Sequence, residues 1–291
     1  MMHRIMRRES KHRPDRFPRQ GPSHEPGAHG EHRERDHDSN VVFGVEPVRE
    51  LIGAAPGSIR VLHVAAGVER RFAGEIARVR ASGGRIDFSD DNKLAALAGR
   101  DSRHQGIIAE VREYQYASFE DLIEKRFDPI VVVDGVTDPR NLGAMLRSAE
   151  GAGVRAIVLA RDRTAGVTPA AIKSSAGAWV HLKIARCGNV ARALEQLKQS
   201  DYWVAALAPG GELSIYDLDV NRRLAIVVGS EGKGVRDIVK KTADFVVNIP
   251  MRGKVDSLNV SVAAAVALFE IGRRRERKEG EQARSDAKSL P

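Results

Sequence analysis

Three glycine-bearing loops hold the side chains of this 291-residue chain that could do chemistry together. The first reads Asp134-Gly135-Val136-Thr137-Asp138-Pro139-Arg140-Asn141 and leads into a segment with Gly143, Arg147 and Glu150. The second is Gly229-Ser230-Glu231-Gly232-Lys233-Gly234, and the third is I-P-M-R-G-K-V-D-S-L-N-V-S-V, from Ile249 to Val262. Asn141, Arg147, Glu231, Ser257 and Asn259 can bind, orient and neutralise a polar substrate. No histidine stands in these loops, which argues against base catalysis by imidazole. Each group also has a plainer reading. Asn141 sits where a helix cap belongs, with Arg147 nearly two turns further on as a surface cation. Ser257 and Asn259 can cap the helix that follows them. Glu231 is either a turn anchor or a carboxylate that fixes a ligand or a neighbouring side chain.

Two common phosphate-binding patterns are absent. A phosphate P-loop ends in Gly-Lys-Ser/Thr, whereas Gly234 is followed by Val235. The dinucleotide fingerprint has another glycine spacing and comes early in its domain. The glycines of the second loop instead permit positive φ and close approach of backbone to a ligand.

Loops of this kind need a strand before them and a helix after them. Near-continuous Val/Ile/Leu runs predict strands at Ile130–Asp134, Arg155–Ala160, Val180–Ala185, Tyr202–Ala208, Leu224–Gly229 and Asp244–Ile249. Helices are predicted at about Leu142–Gly151, Ala170–Ser175, Val190–Gln199, Val235–Lys241 and Asn259–Arg275. This alternation predicts an α/β fold with a parallel sheet covered on both faces. Ahead of it, residues 41–113 read as a small α/β unit, and 114–127 as a linker with a short helix at Phe119–Lys125. The catalytic unit is expected over 128–272, and 273–291 as a charged tail.

Net charge is +8, of which residues 1–40 contribute +2 and residues 271–291 contribute +3. A sequence pI near 9.8 fits a polyanionic partner such as RNA. Arg49, Arg60, Arg70, Arg71, Arg78, Arg80 and Arg85 can contact phosphates or can be solvated faces. Residues 1–40, punctuated by Pro14, Pro18, Pro22 and Pro26, read as a disordered tail. The histidines there lack metal-ligand spacing, so no metal site is expected. A single cysteine, Cys187, fits a reducing, cytoplasmic compartment. No apolar run reaches the roughly 20 residues of a membrane span.

N-L-G-A-M-L-R-S-A-E (141–150), I-V-V-G-S-E-G-K-G-V (226–235) and I-P-M-R-G-K-V-D-S-L-N-V-S-V-A (249–263) together resemble the signature of the SpoU (TrmH) branch of the SPOUT RNA 2′-O-methyltransferases. The likeness spans about 128–272. Residues 41–113, with H-Q-G-I at 104–107, resemble the small substrate-binding domain of the large-subunit rRNA members.

That resemblance implies methyl transfer from S-adenosyl-L-methionine to a guanosine ribose 2′-hydroxyl in large-subunit rRNA. A tRNA or other rRNA substrate is the alternative, and a non-catalytic RNA-binding assembly protein is the reading from another class. The resemblance also implies a C-terminal trefoil knot, which periodicity cannot reveal, and a homodimer. It carries Gly229, Ile249 and Leu258 over as cofactor contacts, with the loop Pro209-Gly210-Gly211 as a weaker candidate. Asn141, Arg147, Glu231, Ser257 and Asn259 carry over as the catalytic and structural polar set.

Overall fold

The computed structural model describes residues 40–99 and 102–288; the tail expected at the N-terminus lies, but for Asn40, outside them. The first elements are β1 (Val41–Phe43), α1 (Val45–Ala54), β2 (Ile59–Ala65), α2 (Ala73–Ala81), β3 (Arg85–Ser89), α3 (Asp91–Ala98) and β4 (Ile107–Val111). Their strands form a mixed sheet in the order β1-β4-β2-β3, with only β2 and β3 parallel. Several of the arginines on this unit are already engaged. Arg49 pairs with Glu75, Arg60 with Glu110, and Arg71 lies over the Phe72 ring. Arg70, Arg80 and Arg85 are exposed and hold no side-chain hydrogen bond or ion pair among the described residues.

The second set comprises α4 (Phe119–Glu124), β5 (Ile130–Val133), α5 (Pro139–Gly151), β6 (Ala156–Ala160), α6 (Pro169–Ser174), β7 (Lys183–Cys187), α7 (Val190–Gln199), β8 (Trp203–Leu207), β9 (Leu213–Ser214), β10 (Leu224–Val228), α8 (Asp237–Thr242), β11 (Phe245–Asn248) and α9 (Val260–Lys288). Every strand pair of this seven-stranded sheet is parallel, and the order is β7-β6-β5-β10-β8-β11-β9. Strand alternation sorts the core into two layers. Val131, Val133, Ile226 and Val228 face the layer that holds Leu142, Ile172 and Leu268 of α5, α6 and α9. Ile130, Val132, Ala225 and Val227 face the layer that holds Leu122, Leu194 and Val239 of α4, α7 and α8. All five residues of β10 are buried, as expected for a strand covered on both sides.

Several boundaries differ from the sequence reading for identifiable reasons. Helix α5 starts at Pro139, because proline presets φ there and the Asp138 carboxylate accepts from the Arg140 N–H at 2.8 Å. Asn141 therefore lies in the first turn of the helix and is not its cap. Strand β7 starts at Lys183, three residues late, because Gly177 (φ +84°) opens a 3-10 turn over Ala178–His181. That turn buries Trp179, whose ring meets Tyr114 edge-on at 5.6 Å.

The segment read as a linker is docked rather than free. The Ala117 N–H donates to the Ile184 carbonyl at 2.8 Å, the Tyr116 hydroxyl accepts from the Val167 N–H at 2.9 Å, and Arg186 lies over the Tyr116 ring. This covers the outer edge of β7, which would otherwise expose unpaired backbone groups.

Helix α9 runs on to Lys288, past the expected end near Arg275. Good helix formers fill this stretch and no proline interrupts it. Its basic run is partly spent inside the fold. Arg274 donates to the Leu218 carbonyl, and Arg275 donates to the carbonyls of Val220 and Arg222 and to Asp128. Asp128 also accepts from the Leu224 N–H, so it ties the approach to β5 to both β10 and α9.

Gly143 lies where α5 crosses α6, and a Cβ there would stand 2.4 Å from the Ala171 carbonyl oxygen. Gly143→Ala is expected to destabilise the fold by about 1–3 kcal/mol through overpacking. A lowered urea midpoint would show this; an unchanged midpoint would mean that the two helices separate freely.

Candidate active site

Parallel strands place their carboxyl ends, and the loops that follow them, along one edge of a sheet. Here β10 lies between β5 and β8, with β11 beyond β8, so the first two loops follow adjacent strands (β5 and β10) and the third follows β11, with β8 between it and β10. The first two loops are fixed from below. The Asp134 N–H donates to the Val228 carbonyl at 2.8 Å, and its carboxylate, 3% exposed, takes both Nε (2.9 Å) and Nη2 (2.6 Å) of Arg236. The hydrogen bond to Asp134 is the main cause that raises the Arg236 pKa, which favours the charged guanidinium. One end of the second loop is thereby clamped to the start of the first.

The second loop closes on itself. Ser230 and Gly234 exchange backbone hydrogen bonds at 3.0 and 2.9 Å, and Gly232 (φ +75°) and Gly234 (φ +64°) make the reversal. A Cβ on Gly229 would stand 2.1 Å from the Gly234 carbonyl carbon. Glycine is required at 229 because the chain crosses itself there.

At the top of this loop Glu231 meets the other two. Asn141 Nδ2 donates to Glu231 Oε1 at 2.7 Å, and Asn259 Nδ2 donates to the same oxygen at 2.7 Å. Asn259 Nδ2 also reaches Asn141 Oδ1 at 3.1 Å, which closes a triangle with one side chain from each loop. Asn259 keeps its capping role as well, since its Oδ1 accepts from the Ser261 N–H at 2.9 Å. The cap and the site contact are made by opposite ends of one amide.

A cavity of about 570 Å³ opens between the second and third loops. Gly229, Ile249 and Leu258 line it, as do Glu231, Ser257 and Asn259. Ala208 and Pro209 also border it, but a Cβ on Gly211 would run into the Val246 carbonyl oxygen, so that glycine serves packing. Arg147 stands apart. It is exposed on α5, lines none of these walls, and its side chain holds no hydrogen bond or ion pair among the described residues. The Asp134–Arg236 clamp escaped the sequence reading; the only signal was a carboxylate at a strand end and an arginine just past a glycine loop.

Comparison with known proteins agrees with this geometry. Residues 128–269 match the SpoU rRNA Methylase family, and residues 41–117 match the RNA 2′-O ribose methyltransferase substrate binding domain. The chain is 36% identical over 241 residues to the 23S rRNA (guanosine-2′-O-)-methyltransferase RlmB of Coxiella burnetii, covering 81% of this chain and 96% of that protein. The chain belongs to the SpoU rRNA methylase family. It is also 38% identical over 210 residues to an uncharacterized tRNA/rRNA methyltransferase of Synechocystis, of which it spans 54%. In fold this SpoU chain resembles the methyltransferase AviRb of Streptomyces viridochromogenes, solved with AdoMet (TM-score 0.67, 23% identity, 81% of this chain and 90% of that one).

Removing the Asp134 carboxylate should loosen the second loop and leave Arg236 without its buried partner. Asp134→Ala is expected to cost about 2 kcal/mol, below the usual penalty for breaking a buried pair, because the Arg236 side chain keeps 45% exposure. Denaturant unfolding measures this, and a variant as stable as wild type would show that the clamp holds nothing.

Proposed function

We propose that this chain transfers a methyl group from S-adenosyl-L-methionine to the ribose 2′-hydroxyl of a guanosine in large-subunit (23S) rRNA. The triangle of Asn141, Glu231 and Asn259, of which Glu231 and Asn259 line the cavity, carries this reading. It stands in a chain that covers nearly the whole length of a relative named for that reaction.

The cavity suits the cofactor. Its volume is within the range of small-molecule sites. Leu207, Ile249 and Leu258 offer apolar surface, while Glu231 and Asp256 offer negative charge and Lys233 and Lys240 positive charge. Gly229, Ile249 and Leu258 would hold the cofactor, which when bound supplies an electrophilic methyl on a sulfonium centre. Asn141 and Asn259 hold Glu231 toward that space, and Ser257 offers a further hydroxyl on the same wall.

A ribose hydroxyl must be oriented, and its proton drawn off, before it becomes a useful nucleophile. Arg147 grips the phosphate beside the target ribose, a task suited to an exposed guanidinium with no other partner. An arginine stays protonated in proteins, so Arg147 acts by charge and position. Exposed arginines on the 41–117 unit, including Arg70, Arg80 and Arg85, supply sequence-independent contact with the RNA backbone. The domain plan behind this reading is a substrate-binding unit at 41–113, a catalytic unit at 128–272 and charged ends. The family's C-terminal trefoil knot is compatible with a strand order in which β10 enters between β5 and β8. Such a substrate places the enzyme in the cytoplasm; among the described residues no helix is long and apolar enough to cross a membrane.

Labelled methyl transfer to unmodified large-subunit rRNA, small-subunit rRNA and tRNA tests the reaction. The expected outcome is label in large-subunit rRNA, with Arg147→Ala lowering kcat/KM by about 100-fold or more, as loss of a positioning contact can do. Label confined to tRNA would overturn the substrate, and full activity in the variant would overturn the role of Arg147.

A homodimer belongs to the same proposal. Val262 and Phe269, 48% and 52% exposed, stand seven residues apart and so share one face of α9. Sedimentation should give a dimer that Phe269→Asp converts to monomer; a monomeric wild type would rule this out.

A further inference from the structure

The reaction as proposed leaves one large cavity without a role. It measures about 660 Å³ and opens on the opposite side of the second loop from the first cavity. Ser230, Glu231, Lys233 and Gly234 line both. Asn141 lines the second one only, so the two cavities meet where Glu231 and Asn141 are hydrogen-bonded.

The far wall of the second cavity is built, not loose. Gly135 N–H donates to the Thr164 hydroxyl at 2.9 Å, and Ala165 N–H donates to the Val136 carbonyl at 2.8 Å. These bonds pin the loop after β6 alongside the first loop. Within that pinned loop stand Asp162 and Arg163, both lining the cavity. Arg163 is held at φ +62°, a left-handed conformation uncommon for a residue with a side chain and found preferentially at functional turns.

The charges on this wall divide into those already engaged and those left open. Asp134 is paired with Arg236, Asp138 caps α5 and meets Arg140, and Asp237 lies 3.5 Å from Lys240. Asp162, Arg163 and Lys233 hold no side-chain hydrogen bond or ion pair among the described residues. One open carboxylate and two open cations therefore face a space large enough for a nucleotide.

We propose that this second cavity receives the base of the acceptor nucleotide and reads it as guanine through Asp162. Guanine alone among the four RNA bases presents two adjacent donors, N1–H and the 2-amino group, which the two oxygens of one carboxylate accept together. Arg163 and Lys233 donate to the O6/N7 edge or to the adjoining phosphate. The ribose then lies at the boundary formed by Asn141 and Glu231, with the methyl donor's cavity on its other side. This inference rests on the proposed reaction and adds to it the residue that selects the base.

The test has one arm that needs no activity. In saturation-transfer NMR on the full-length protein with GMP, IMP and AMP, the guanine H8 signal is expected to be strongest. IMP, which lacks the 2-amino group, and the Asp162→Asn variant with GMP should each be weaker by about tenfold, as for a lost hydrogen bond to a charged group. Equal signals for the three nucleotides, no GMP signal, or a GMP signal unchanged in the variant would each overturn the proposal. In the second arm, Asp162→Asn should lower kcat/KM for rRNA by about tenfold while leaving S-adenosylmethionine affinity, measured by calorimetry, unchanged. Full activity in this variant would sink the base-reading role alone. A wild type that selects GMP through Asp162 yet methylates no RNA would sink the proposed reaction and leave the pocket standing.

Discussion

Placement of β10 between β5 and β8 is the constraint on which the site depends. Parallel pairing on both of its sides fixes its register, with Val228 opposite Val133 on one side and Leu207 on the other. The loop that leaves Val228 must therefore rise between the loop after β5 and the chain after β8. Asn141, 90 residues before Glu231, and Asn259, 28 residues after it, are brought within hydrogen-bond reach by strand order, before any loop chemistry acts. That order needs strands buried on both faces. The core meets the need by alternation: the odd-numbered residues of β5 pack on α5, α6 and α9, and the even-numbered on α4, α7 and α8.

On this frame the polar groups have unequal duties. The Asp134–Arg236 pair lies low and is bidentate, and it sets where the second loop leaves the sheet. Glu231 lies high, where each of its two bonds from amides is short but exposed to competition from water. A net hydrogen bond of this kind contributes only about 1 kcal/mol, so the triangle could not assemble the loops by itself. It sets side-chain direction on loops that the backbone has already placed. A carboxylate fixed in this way can be held in one orientation without being buried.

Much of this was legible in the sequence, and the failures share a cause. Buried strands announce themselves by continuous apolar runs, so Leu224–Val228 and the helix Val190–Gln199 were read closely. The three loops were legible because glycine, asparagine and a lone glutamate are costly or unusual choices directly after such strands. What escaped depended on contacts between distant residues. The two-residue strand β9 is too short to carry a period, and the 3-10 turn at Ala178–His181 follows from Gly177 and a buried Trp179. Asn141 looked like a cap because Asp138 and Pro139, which start the helix, also look like a loop. The basic run at Arg273–Lys278 looked free because the carbonyls that occupy Arg274 and Arg275 lie more than fifty residues earlier in the chain.

The second loop works as a shared partition. Its five residues from Ser230 to Gly234 form a closed turn whose ends exchange backbone hydrogen bonds, and all of them but Gly232 line the cavities on both sides. Any displacement that enlarged one cavity would intrude on the other. Gly229 permits the crossing that closes the turn, Arg236 anchors its far end, and the two asparagines hold its crest. Each of these devices stiffens a different point of one short loop. Glycine-rich composition ordinarily signals mobility, but here it serves a closed turn: Gly229 stands where no Cβ fits and Gly232 and Gly234 take positive φ, and the closed turn keeps the two cavities apart yet within reach of a single carboxylate.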